Sequence, residues 1–131
     1  MKFEINFTEL PEYVYIQTEG KASVSGFREL LTALVENPAW TTGAKQIVDH
    51  RKLETRKLTS EDMWKIKDIV ETHAKKLGYG YCAFVVKETL GYAFSRMYEL
   101  IGGDEIHQKV KVFYAIDEAA KWLEIKNPQI R

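Results

Sequence analysis

The chain of 131 residues carries nineteen basic and nineteen acidic side chains, so its formal charge is zero and no Lys/Arg block exceeds two residues. That balance lacks the cationic footprint a phosphate backbone requires, which argues against nucleic acid as a partner. One cysteine, Cys82, allows no internal disulfide, and the length suffices for one domain, residues 1–131, with a core of its own.

The first ten residues, MKFEINFTEL, are too interrupted by charge to form a signal peptide, and no apolar run has the length of a membrane span. A soluble cytoplasmic protein is therefore expected. In KFEINFT, Phe3, Ile5 and Phe7 alternate onto one face; YVYIQTE at 13–19 is equally strand-like, and Pro11 punctuates the join. These two strands predict an antiparallel hairpin. The stretch SVSGFRELLTALVENP then spaces Val24, Phe27, Leu30, Leu31, Leu34 and Val35 as one helical face, with Ser23 or Ser25 as cap and Pro38 as stop.

AKQIVDH predicts a short strand ending near Asp49, followed by a charged loop, RKLETRKL. A second helix starts at a Thr59 cap, with Asp62 three residues on, and runs to Gly78. Met63, Ile66, Val70, Ala74 and Leu77 form its inward stripe, whereas Trp64 projects among Lys67, Asp68, Glu71 and Lys75. YGYCAFVVK reads as a strand buried on both faces, central in a parallel sheet, with Cys82 as a small core residue.

The third helix, ETLGYAFSRMYELIGG, holds more apolar surface than one packed face needs. At about 100° per residue, Leu90, Phe94, Met97 and Ile101 form a core-facing stripe. Tyr98 and Leu100 flank it, while Tyr92 lies opposite, beside Arg96. The last strand, KVKVFYAI, sets Val110, Val112 and Tyr114 against Phe113, and Asp117 is expected to cap the final helix. The order β-β-α-β-α-β-α-β-α predicts an α/β domain with a mostly parallel sheet and an antiparallel first strand.

No strand is followed by a dinucleotide fingerprint or a phosphate loop, and G-x-S-x-G is absent. His50, His73 and His107 have no metal-ligand spacing, so neither a metal nor a cofactor is expected. The best polar constellation is Asp49 with His50, at the strand end where open α/β sheets place ligands. Its plain reading is an Asp49-capped turn with His50 in solvent, and one acid beside one imidazole defines no reaction.

NPAW after the first helix, IVDHRKL at the strand ending in Asp, GYAFSRMYEL in the third helix and the closing VKVFYAIDEAAKWL together resemble the bacterial SpoIIAA-like family, from about Tyr13 to Leu123. The resemblance implies the β-α superhelix shared with STAS domains. For the soluble branch it implies helices that open and close, apolar ligand binding and contact with a membrane surface. STAS regulators instead dock on a partner and are phosphorylated on a serine just after the strand-ending Asp. Here His50, Arg51 and Lys52 follow Asp49, so that switch does not carry over.

The first expectation is thus a non-enzymatic carrier or sensor of small nonpolar molecules. Phe94, Met97, Tyr98 and Ile101 would line the pocket floor, with Trp64 and Tyr92 at its mouth. The alternative is a module docking a regulatory protein through Asp49, His50, Arg51 and Arg56 and the start of the second helix. Exposed Trp64 and Tyr92 also suit a homodimer interface.

Overall fold

The computed structural model describes residues 1–87, 109–126 and 128. A hairpin opens the chain: β1 (Lys2–Asn6) pairs antiparallel with β2 (Tyr13–Lys21). β3 (Lys45–Glu54), β4 (Tyr81–Val85) and β5 (Lys109–Phe113) then add in parallel, giving one sheet in the order β1-β2-β3-β4-β5. The helices among the described residues are α1 (Val24–Glu36), α2 (Ser60–Thr72), a single turn α3 (Ala74–Leu77) and α4 (Ile116–Leu123). This is the mixed sheet with an antiparallel first strand expected from the sequence.

Side-chain alternation along the strands sorts the core into two layers. On one face Val14, Ile16, Val48, Cys82 and Phe84 pack against Phe27, Leu30 and Leu34 of α1 and Ile66 of α2. On the other, Tyr15, Ile47, Ala83, Val85 and Phe113 pack against Ile116, Ala119 and Leu123 of α4. β4 is buried on both faces, as its apolar run predicts, although β3 holds the middle of the sheet. Cys82 is a buried free thiol in the first layer, and burial raises its pKa.

The helix starts follow their capping signals. The Ser23 hydroxyl accepts from the Gly26 amide at 3.0 Å. Thr59 and Asp62 form a reciprocal capping box, with bonds of 3.1 and 3.0 Å. Three expectations need correction. The second helix does not run unbroken to Gly78: the His73 ring donates from Nδ1 to the Ile69 carbonyl at 2.7 Å and the backbone leaves helical geometry there. Asp117 does not cap α4; Ala115 holds that position without a side-chain bond, while Asp117 and Glu118 sit in the first turn, favoured by the helix dipole.

The third correction is the largest. β3 does not stop near Asp49 but continues to Glu54, through the first half of the charged run read as a loop. The reason is a β-bulge. Gln17 pairs with Asp49 and Glu19 with Lys52, so three steps along β3 oppose two along β2. The additional residue resets the alternation, which lets Leu53 rather than Lys52 face the α1 layer beneath.

Candidate functional site

The bulge is where the polar residues of the sheet converge. Before it, odd-numbered positions of β3 face the α4 side, so Asp49 takes that face; in the bulge itself His50 turns to the other layer and Arg51 reaches back to Asp49. Arg51 folds back on Asp49, donating from Nε at 2.9 Å and from Nη2 at 2.8 Å, while its backbone amide donates to the same carboxylate at 3.0 Å. The Tyr15 hydroxyl, on the neighbouring strand, donates to Asp49 at 3.3 Å. Both carboxylate oxygens are thereby occupied, and the guanidinium is held as a bidentate fork.

The electrostatics follow from that geometry. Burial works to raise the Asp49 carboxyl, and the hydrogen bonds and charge of Arg51, with the Tyr15 hydroxyl, outweigh it and hold the group below its ordinary value. Burial and the adjoining Asp49 charge push Tyr15 up to about 12. The phenol therefore stays protonated and serves as a donor.

His50 enters the opposite layer. It is 1% exposed, stacked on Phe84 with centroids 5.1 Å apart and edge-on to Phe27 at 6.1 Å. Its Nδ1 lies 2.6 Å from the Thr18 hydroxyl, which also lies 3.3 Å from the Asp49 carbonyl. Both contacts are satisfied when the hydroxyl donates to that carbonyl and accepts from Nδ1–H. Burial depresses the imidazole to about 3, so it is neutral at ordinary pH despite Asp49 next door. The expected turn with a solvated histidine is thus corrected on both counts: Asp49 and His50 lie inside a strand and are buried on opposite faces.

Of the four residues expected to meet a partner, Asp49, His50 and Arg51 form this frame, and Arg56 is exposed just beyond it. The Thr55–Leu58 turn closes with a Leu58 amide to Thr55 carbonyl bond of 3.0 Å and leads into the capping box. Arg56 and Lys57 project from the turn with no ion pair among the described residues. One turn into α2, Trp64 is 54% exposed, with the Lys67 ammonium 5.0 Å from its ring centroid. The expected outward position of Trp64 therefore holds. The other residues of the apolar-pocket expectation, Tyr92, Phe94, Met97, Tyr98 and Ile101, lie outside the described residues.

Pattern reading missed the link from Tyr15 to Asp49, because the two are 34 positions apart. A signal existed for the nearer pair: an Asp side chain readily accepts from the backbone amide two residues on, here that of Arg51. Among the described residues no group of three or more His, Cys, Asp or Glu is placed to hold a metal ion, and no helix is long and apolar enough to cross a membrane.

No protein-family model matches the chain, and neither does any curated protein. Among solved structures, the chain is similar to an uncharacterized protein from the DUF3478 family with a SpoIIAA-like fold, from Shewanella loihica PV-4. The match has a TM-score of 0.60 and 17% identity, and covers 93% of this chain and 92% of that one. At that identity the likeness shows the fold, which is SpoIIAA-like.

Proposed function

We propose that this SpoIIAA-like domain is a non-catalytic docking module that receives a partner protein on the Thr55–Leu58 turn and the first two turns of α2. The observation that carries the reading is Trp64, a large aromatic left more than half exposed on a rigidly started helix. Just over half of an indole side chain is about 100 Å², so its burial by a partner contributes about 2–3 kcal/mol. Trp and Arg dominate the energetic centres of protein interfaces. Lys67 over the Trp64 ring, with Arg56 and Lys57 on the turn that precedes the helix, favours a partner presenting an apolar socket with an acidic rim.

The frame beneath supports the same reading. Asp49 is saturated by Arg51 and Tyr15, and His50 is neutral in the core, so this pair offers neither a free base nor a general acid. What the frame does instead is fix the end of β3, and through it the turn that presents Arg56. Affinity capture from the native organism's lysate tests the reading. Wild-type protein is expected to recover a partner that both Trp64→Ala and Arg56→Glu lose while remaining folded by circular dichroism. Retention of every captured protein by both variants defeats the proposal. Native mass spectrometry separates the carrier reading: a stoichiometric apolar mass bound to the purified protein would replace docking by carriage.

A further inference from the structure

A different surface, at the β1 end of the sheet, has the construction of a small-molecule site. Register places Glu4 opposite Gln17 and Asn6 opposite Tyr15, so all four side chains emerge on the α4 side of the sheet. α4 packs over β3, β4 and β5 on that side, whereas the helix that meets β1, α1, lies on the opposite side of the sheet. The uncovered part is an open concavity of about 590 Å³ lined by Glu4, Asn6, Thr8, Tyr15 and Gln17, and by the strand at Ile5 and Phe7, whose side chains pack into the α1 layer. Small-molecule sites span roughly 300–1,000 Å³, so this one is large enough.

Its chemistry is specific. The Asn6 side-chain oxygen is taken by the Thr8 amide at 2.9 Å and the Thr8 hydroxyl at 2.7 Å, which fixes the amide and leaves its NH2 as an unused donor among the described residues. The Tyr15 hydroxyl is committed to Asp49. Glu4 makes no ion pair among the described residues. Lys2, on the same face, stands directly across from Glu19, and the other charges of the connecting turn are the exposed Glu9 and Glu12. The walls thus offer one uncompensated carboxylate, the ring of Tyr15 and one amide donor.

We propose that this concavity binds a small aliphatic primary ammonium group bearing an oxygen acceptor a few bonds away. Glu4 is the counter-ion, the Tyr15 ring supplies an aromatic wall that favours a cation, and the Asn6 amide donates to the oxygen. A free amino alcohol and a lysine side chain followed by its peptide carbonyl both present this chemistry.

Amide-resolved NMR titration tests the assignment, with aminobutanol as the free amine, Nα-acetyl-lysinamide as the peptide source and butanediol as the neutral control. Saturable shifts at Glu4, Asn6, Thr8 and Gln17 are expected with the amines and not with butanediol; the tighter of the two amines names the source. Glu4→Gln is expected to weaken binding roughly fivefold, the scale of one exposed ion pair. Glu12→Gln, which removes the same charge outside the concavity, is expected to leave it unchanged. The proposal is overturned if neither amine saturates, if butanediol shifts the same amides as strongly, or if Glu12→Gln costs as much as Glu4→Gln.

Discussion

His50 makes stability depend on acid in a range where few other groups act. Its folded value is depressed to about 3 by burial, against 6.5 in the unfolded chain. A depressed histidine contributes its full stability above the unfolded value; below it the unfolded chain takes up a proton that the native ring refuses. Each pH unit in that range costs about 1.4 kcal/mol, until the folded value is reached. Lowering the pH from 7 to 5 is therefore expected to remove about 2 kcal/mol, a sizeable fraction of the ~5–15 kcal/mol that holds a domain together. Asp49 is also depressed, but its ordinary value is 3.8, so its own loss begins below this window. Urea unfolding at the two pH values measures the effect, with the midpoint expected to fall by about 1 M. His50→Gln keeps a polar group near Thr18 without a titrating ring, and the difference between wild type and variant isolates His50 from His73 and His107. Equal midpoints at both pH values for wild type, or an equal fall in His50→Gln, would refute a buried neutral imidazole.

Denaturant unfolding provides three further tests, one on the frame and two on the turns around it. Asp49→Asn discharges a carboxylate that satisfies both Arg51 and Tyr15, and it should cost about 2 kcal/mol, less than a fully buried pair because Arg51 is partly solvated; a loss under about 0.5 kcal/mol would mean that the network is dispensable. Gly78 sits at φ +76°, and a Cβ there would come within 2.6 Å of Thr42 Cγ2 and 2.8 Å of the Gly43 amide nitrogen. Gly78→Ala should therefore destabilise by about 2 kcal/mol or more, and a neutral result would contradict the close approach of the α3–β4 turn to the α1–β3 loop. Thr59→Ala removes half of the capping box and should cost about 1 kcal/mol; no loss would mean that the start of α2 is held by other contacts.

Local signals carried most of the fold. The alternation of Phe3, Ile5 and Phe7, the Ser23 cap, the Thr59–Asp62 pair and the continuous apolar run at Cys82–Val86 each specify their element within a few residues. Where the sequence misled, a non-local arrangement was responsible. Arg51 to Glu54 look like loop because alternation breaks there, and only the pairing of β2 with β3 reveals that a bulge repairs it. His50 looks solvated because charged residues flank it, yet its neighbours in space are Thr18, Phe27 and Phe84. The concavity at β1 was equally hidden, since Glu4 and Asn6 read as the ordinary polar side of a hairpin until register sets them beside Tyr15 and Gln17.

Docking through Trp64 is tested most directly by the affinity of the purified partner for wild-type protein, for Trp64→Ala and for Lys75→Ala, an exposed substitution outside the Thr55–Leu58 turn and the first two turns of α2. The expected result is a loss of about 2 kcal/mol, roughly thirtyfold, for Trp64→Ala alone. Equal affinity of all three proteins would contradict the docking function.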